Sequence, residues 1–141
     1  WKTISFQSPY HFLIIKLSNL VDNNKYNVGL DGIQEPIKLT VSKGVFNEDY
    51  NSNILFLDIK EIKLPLILRK YKKADFFYPN KMNGKKMISK YFKDEKMSYF
   101  DKQNQWLLCD GSEILWVVGM RFDKRKYITK NANIKIEFNE V

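Results

Sequence analysis

The sequence contains few of the residues that usually carry out chemistry. Among 141 residues there is one cysteine, one histidine and only three arginines. A single cysteine excludes an internal disulfide, so nothing in the composition suggests an oxidising compartment. One cysteine and one histidine also argue against a zinc site. The six glycines form neither a phosphate-binding loop nor a dinucleotide fingerprint. We therefore expect no metal site and no cofactor site within this chain.

Two side chains remain as possible nucleophiles or bases. His11 lies between Tyr10 and Phe12 at the start of an apolar run, where a structural role is expected. Cys109 ends the run Trp-Leu-Leu-Cys and is expected to pack as a small apolar residue. No carboxylate pair stands out for acid–base work. An independent enzyme would have to depend on His11 or Cys109, and we predict no catalytic residue here.

No apolar run approaches the ~20 residues of a membrane span. The chain starts at Trp1 without a signal or transit sequence, and we expect a piece of a longer cytoplasmic protein with no membrane partner. Hydrophobic residues make up 44% of the chain, which is enough for a folded core in a single domain of this length.

The positive charge is concentrated in one segment. The net charge is +8 overall, but residues 1–59 carry −1, residues 60–96 carry +8 and residues 97–141 carry +1. A polyanion such as nucleic acid is the usual partner of such a surface, and a solvated lysine-rich face is the alternative. With few arginines, the pattern suits a nucleic-acid backbone better than base edges.

Hydrophobic periodicity predicts strands at both ends of the chain and helices between them. The predicted strand segments are 12–17, 37–41, 54–59, 64–68, 106–109, 114–118 and 134–138. Asp110-Gly111 predicts a hairpin turn, and the unbroken apolar run 114–118 predicts a strand buried on both faces. Helical spacing predicts a helix over 86–93, and Ser98 predicts the cap of a second through Lys102. The apolar stripe of the first helix is Met87, Ile88, Tyr91 and Phe92.

These patterns predict an α+β fold of mixed class, a strand-dominated sandwich with one or two short helices. Residues 1–59 are expected to form a strand-rich segment that leads into, or forms part of, the domain.

Three groups of motifs resemble a known family. Leu64-Pro-Leu-Ile-Leu-Arg69, Ala74-Asp75-Phe76 with Pro79, and Met82-Asn-Gly84-Lys-Lys86 resemble the C-terminal domain of bacterial tRNA(Ile)-lysidine synthetase (TilS). In that family a strand ending in Pro-Leu-x-Leu-Arg precedes Gly-Asp-Arg-Phe-x-Pro and Gly-Met-x-Gly-x-Lys. The resemblance continues through residues 94–96, 106–111, 116–119, 121–125 and 129–130. Residues 1–59 match only in position. The resemblance therefore implies that residues 60–141 form a C-terminal tRNA-binding domain of the lysidine synthetase type.

The sequence departs from the family pattern at four positions. Ala74 and Lys81 stand where the family has glycine, Phe76 stands where it has arginine, and Lys126 stands where it has phenylalanine. Lysines near residue 76 are expected to compensate for the missing arginine.

The resemblance implies a fold similar to a domain of the phenylalanine-tRNA synthetase beta chain. It also implies that the parent protein is an ATP-dependent ligase that joins lysine to the wobble cytidine of tRNA(Ile). ATP, with Mg, would be bound by an N-terminal PP-loop catalytic domain that this chain does not contain. The implied partners are tRNA(Ile) and that catalytic domain of the same protein.

We predict that ten basic residues contact RNA phosphates, whereas Asp75 and Asp123 hold neighbouring arginines or backbone amides in place. The predicted RNA-binding residues are Arg69, Lys70, Lys81, Lys85, Lys86, Lys90, Lys93, Lys96, Arg121 and Arg125. The alternative is a protein-interaction or structural domain that docks on its own catalytic domain without touching tRNA.

Overall fold

The structure is a computed structural model, and it describes residues 23–139. Within these residues lie ten strands, two α-helices and one turn of 3₁₀ helix at Ile59–Glu61. The strands are β1 (Tyr26–Val28), β2 (Lys38–Phe46), β3 (Ile54–Leu57), β4 (Leu66–Lys70), β5 (Phe76–Phe77), β6 (Lys86–Met87), β7 (Trp106–Asp110), β8 (Glu113–Val117), β9 (Arg121–Phe122) and β10 (Ala132–Asn139). The helices are α1 (Ile88–Asp94) and α2 (Tyr99–Asn104).

The strands form three antiparallel groups. A central five-stranded sheet has the order β1-β4-β7-β8-β9, and a second sheet has the order β2-β10-β3. A short ribbon pairs β5 with β6. The predicted strand-dominated sandwich with two short helices is confirmed.

The central sheet is buried on both faces. Leu66, Leu68 and Leu108 point toward the second sheet and share one hydrophobic core with its residues. Leu107 and Cys109, which alternate with Leu108 along β7, point the other way into a second core beneath α1 and the β5–β6 ribbon. The molecule therefore has three layers, with the ribbon and α1 forming the outer layer on one face.

A bulge explains why the apolar run at 114–118 has no alternation. The pairing of β7 with β8 shifts register between Leu108 and Cys109, so that Leu115 is an extra residue on β8. Leu115 and Trp116 consequently both pack in the core shared with the second sheet, whereas Ile114 packs in the other core. The prediction that this strand is buried on both faces is confirmed.

The outer layer begins differently from the prediction. The helix starts at Ile88 instead of residue 86, because Lys86 and Met87 pair with β5 as strand β6. Met87, which was expected in the buried stripe, is 38% exposed, whereas Tyr91 and Phe92 are buried as predicted. The correction has a simple cause: a two-residue ribbon turns the side chain of Met87 to the outside.

Caps are present at the start of α2 and at the end of α1. The Ser98 hydroxyl accepts a hydrogen bond from the Asp101 amide, and the Asp101 carboxylate accepts one from the Ser98 amide, which forms a capping box. At the end of α1, the amide of Met97 donates to the Phe92 carbonyl while Lys96 adopts a φ of 55°. The predicted capping role of Ser98 is confirmed.

The predicted strand 12–17 and His11 lie outside the described residues. The predicted division at residue 59 stays a prediction, although strands from both sides of it pair, since β1 pairs with β4 and β10 pairs with β2 and β3. None of the helices in residues 23–139 is long and apolar enough to cross a membrane.

Candidate nucleic-acid interface

The basic segment of the sequence forms the outer layer of the fold. We call residues 70–96 the basic layer; they comprise the loop after β4, the β5–β6 ribbon with its connecting turn, and α1. Seven of its lysines are exposed: Lys72, Lys73, Lys81, Lys85, Lys90, Lys93 and Lys96. Most of the net positive charge is therefore carried by this outer layer.

The basic layer is fixed to the central sheet by a buried ion pair. Two guanidinium nitrogens of Arg69, at the end of β4, donate to the two carboxylate oxygens of Asp75 at 2.7 and 3.1 Å. Both side chains are less than one-tenth exposed. The same carboxylate accepts from the Lys72 amide at 2.9 Å, which closes the loop between them. Burial alone would lower the pKa of Arg69, but the hydrogen bonds and charge of Asp75 outweigh it and raise the pKa.

A second buried carboxylate fixes the far end of the ribbon. Asp123 is 2% exposed; it accepts from the Tyr78 amide at 3.0 Å and from the Arg125 amide at 2.8 Å. The Arg125 guanidinium also donates to it, at 2.8 to 3.1 Å. The Asp123 amide in turn donates to the carbonyl of Leu115, the bulged residue of β8. Asp75 and Asp123 thus hold arginines and backbone amides, as predicted.

Two basic side chains hold the turn between β5 and β6 by hydrogen bonds to its backbone carbonyls. Arg121 donates to the Asn80 carbonyl at 2.9 Å, and Lys124 donates to the Met82 carbonyl at 3.0 Å. Because its carbonyls are tied to the body of the protein, the turn presents Lys81 and Lys85 from a fixed backbone. The Lys81 ammonium lies 4.7 Å from the centre of the Tyr50 ring.

The conformation of this loop and turn explains three glycine positions of the family pattern. Ala74, Lys81 and Gly84 have φ values of 75°, 64° and 74°. This left-handed region favours glycine because a Cβ is crowded there. Two of the departures from the family pattern therefore preserve the backbone shape at some cost in strain.

Helix α1 presents lysines on its outer side. Lys90 and Lys93 are exposed, whereas Lys86 is paired with Asp94 at 2.6 Å. The hydrogen bond from Lys86 is the main reason that the pKa of Asp94 is lowered, with Lys90 and Lys93 adding to the effect. Lys93 and Lys96 also lie at the C-terminal end of the helix, where cations are favourable to the helix dipole.

A cleft of about 490 Å³ lies beside the basic layer. The cleft is lined by basic side chains from two distant parts of the chain, by the ring of Phe76 and by the carboxylates of Asp75 and Glu113. Its lining residues are Arg69, Lys72, Lys73, Ala74, Asp75, Phe76, Ser112, Glu113 and Arg125. The cleft can accept an anionic group, because the charge of Glu113 is largely balanced by its pairs with Arg125 and Lys126.

The structure divides the ten predicted phosphate contacts into two groups. Lys81, Lys85, Lys90, Lys93 and Lys96 are exposed on the basic layer. The other five side chains are engaged with protein partners: Arg69 with Asp75, Lys70 with the Gln103 carbonyl, Lys86 with Asp94, Arg121 with Asn80, and Arg125 with Asp123. Direct phosphate contact by any of the ten stays a prediction.

Sequence reasoning did not single out the cleft. Lys72 and Lys73 belong to the basic segment but were not among the predicted contacts, although the cleft contains both. The run of positive charge was the sequence signal that could have identified Lys72 and Lys73 as site residues. The contribution of Ser112 and Glu113, from the β7–β8 turn, depends on tertiary folding and has no local signal.

Cys109 is fully buried, and burial raises the pKa of its thiol to about 11. Within residues 23–139, no group of three or more His, Cys, Asp or Glu side chains is placed to hold a metal ion.

Fold and surface together define a strand-dominated domain with a lysine-rich outer layer. The chain is 44% identical over 102 residues to the tRNA(Ile)-lysidine synthase of Parabacteroides distasonis. This match covers 70% of this chain and 23% of the relative. It is 28% identical over 128 residues to the enzyme of that name from Clostridium tetani, covering 88% of this chain and 26% of the relative. No family model matches the chain.

The fold comparison agrees with the sequence relatives. The crystal structure of a TILS C-terminal domain superposes with a TM-score of 0.64 at 16% identity, covering 84% of this chain and 98% of that chain. The chain spans about a quarter of the length of the curated relatives described above. The predicted resemblance to the C-terminal domain of tRNA(Ile)-lysidine synthetase is confirmed by sequence and by fold.

Proposed function

We propose that this chain is the tRNA-binding C-terminal part of a tRNA(Ile)-lysidine synthetase. The observation that carries the proposal is the basic layer, in which seven lysines are exposed while Asp75 is neutralised by buried Arg69. A surface of this kind attracts a polyanion at long range and binds its backbone. The names of the sequence relatives support tRNA as that polyanion.

In this proposal the exposed lysines bind phosphates. The basic residues that are engaged with protein partners hold in place the loops that carry these lysines. Lys85, Lys90 and Lys93 are single ammonium groups on flexible stems, which suit phosphates whose exact positions vary. Arg69, Arg121 and Arg125 fix the loops that carry these lysines. Phosphate contacts position an RNA without reading its sequence, so selection of tRNA(Ile) would depend on other contacts.

The domain would act in the reaction by positioning its substrate. Holding the body of the tRNA orients the wobble cytidine toward the N-terminal catalytic domain, where ATP and Mg would be bound and lysine would be joined. Such positioning lowers the entropic cost of bringing the reactants together. The ligase activity, tRNA processing and cytoplasmic location of the parent protein belong to this proposal.

The experiment measures binding of tRNA(Ile) to the chain over a series of salt concentrations. Replacing Lys85, Lys90 and Lys93 by glutamate should weaken binding sharply. It should also reduce the slope of log affinity against log salt by about 0.7 to 0.9 for each phosphate that the protein no longer neutralises. Lys86 is left unchanged, because its partner Asp94 would complicate the result.

A matched variant keeps the same net charge change on other surfaces. Lys25, Lys38 and Lys43 are exposed and lie outside the basic segment. Their replacement by glutamate should leave most of the affinity intact. Equal reductions of affinity in the two triple variants would show that only total charge matters. Salt-insensitive association with the catalytic domain, without tRNA affinity, would favour the docking alternative.

A further inference from the structure

An exposed apolar pair interrupts the lysines of the basic layer. Phe76 and Met87 are directly opposite each other in the β5–β6 ribbon. Both side chains face outward, at 37% and 38% exposure, while the neighbouring Phe77 is fully buried. Phe77 fills the core, so the ribbon does not need the outer pair for its own burial. An exposed ring on a basic surface calls for another explanation.

Two aromatic rings in contact lie between two cations along this edge of the layer. The Lys85 ammonium lies 4.1 Å from the centre of the Phe76 ring. The Phe76 ring meets the Tyr78 ring edge to face, with centres 6.1 Å apart and planes at 81°. The Arg125 guanidinium lies 4.4 Å from the Tyr78 ring centre. The nearly perpendicular rings of Phe76 and Tyr78 thus lie between two cations.

We propose that the Phe76 ring stacks on an unpaired nucleobase of the bound RNA, while the exposed ammonium of Lys85 holds a phosphate next to that base. The inference rests on the proposed function, and it adds a specific contact to it. Aromatic stacking together with flanking cations is the usual means by which proteins bind single-stranded nucleic acid. Lys72 and Lys73 line the adjoining cleft and extend the positive surface on which the same RNA strand would lie.

Stacking on a side chain requires a base whose face is open. In a duplex both faces of each base are covered by neighbours, so the ring selects an unpaired or terminal base. Phenylalanine offers no charge to a phosphate, but its ring offers a stacking surface.

The test compares RNAs that differ only in their unpaired bases. The ligands are a blunt RNA duplex, the same duplex with a single-stranded 3′ extension, and a hairpin with an unpaired loop, the last two also made with abasic residues. The chain should bind the extension or the loop RNA roughly fivefold or more tighter than its abasic counterpart. Which of the two shows the advantage identifies the source of the base.

Variants then assign the advantage to the ring. Phe76→Leu should abolish the advantage over the abasic ligands, whereas Phe76→Tyr should retain it. Tyr99→Leu is the matched control, because Tyr99 is an exposed aromatic residue on α2, at 50% exposure. This variant should keep the full advantage.

The outcomes separate this inference from the proposed function. Salt-dependent binding of all RNAs with no preference over the abasic ligands would overturn the stacking contact and leave tRNA binding standing. Absence of binding to every RNA would overturn both. The wild-type comparison with abasic ligands decides the question even where a Phe76 variant fails to fold.

Discussion

Arg69 and Asp75 form a buried, two-pronged ion pair that joins the last residues of a central strand to the loop leading into the basic layer. The Asp75 carboxylate also accepts a hydrogen bond from the Lys72 amide, so a single side chain closes the loop that presents Lys72 and Lys73. The exposed lysines of this layer therefore depend on a charge pair that is itself out of contact with solvent.

Breaking this pair should destabilise the fold strongly. Asp75→Ala leaves a buried guanidinium without its partner, which costs about 3 to 5 kcal/mol in the free energy of unfolding. Denaturant unfolding of the variant and the wild type measures the difference. Asp94→Ala is the control, because Asp94 is exposed and its pair with Lys86, which solvent screens, should contribute far less to stability. Similar decreases in the two variants would contradict the structural role of Arg69 and Asp75.

Restoring glycine at two positions should stabilise the protein. Ala74 and Lys81 adopt φ values of 75° and 64°, which crowd a Cβ. Ala74→Gly and Lys81→Gly should each raise the free energy of unfolding by about 1 kcal/mol, the relief of strain exceeding the added chain entropy. Thermal or denaturant unfolding measures this change. Lys85→Gly removes the same charge as Lys81→Gly from the same turn, at a residue without positive φ, and should be neutral or destabilising.

A side chain at position 119 should destabilise the fold. Gly119 has a φ of 78°, and an added Cβ would lie 3.2 Å from two carbons of the Phe138 ring, at the contact between the two sheets. Gly119→Ala should lower the free energy of unfolding by about 2 kcal/mol or more. Gly84→Ala has a similar φ of 74° with open space around it, so it isolates the backbone strain. Equal costs at the two positions would show that the Phe138 contact contributes nothing.

Local patterns predicted most of the strands because each has a local cause. The alternation at residues 37–41 and 134–138 identified β2 and β10, which each have one wet face. The β5–β6 ribbon was missed because two residues per strand carry no periodicity, and its strand β6 took Lys86 and Met87 from the predicted helix. The exposure of Met87 follows from that pairing.

The site was predictable in its charge but not in its partners. The run of lysines identified the basic layer, and the two aspartates were correctly expected to hold arginines or amides. Which cations are engaged depends on contacts such as that between Arg121 and the Asn80 carbonyl, 41 positions apart in the sequence. The cleft likewise needs the β7–β8 turn to bring Glu113 beside Arg125. Such long-range contacts leave no trace in local spacing.

The buried thiol of Cys109 should make stability fall at alkaline pH. Burial raises its pKa from an ordinary 9.0 to about 11 in the folded chain. Between these values the unfolded chain has released the thiol proton and the folded chain retains it, so the free energy of unfolding decreases as pH rises. Its contribution is present in full below pH 9.0 and falls by about 2 kcal/mol by pH 11.

Denaturant unfolding of the wild type and Cys109→Ala, at several pH values across this window, measures the effect. Lysines also titrate here, but they are the same in both proteins, so the difference between the two slopes isolates the thiol. The wild type should become less stable more steeply than the variant as pH rises, and the folded wild type should resist thiol reagents that modify it once unfolded. Parallel slopes would contradict a raised pKa, and rapid modification of the folded protein would contradict the burial of Cys109 beneath the basic layer.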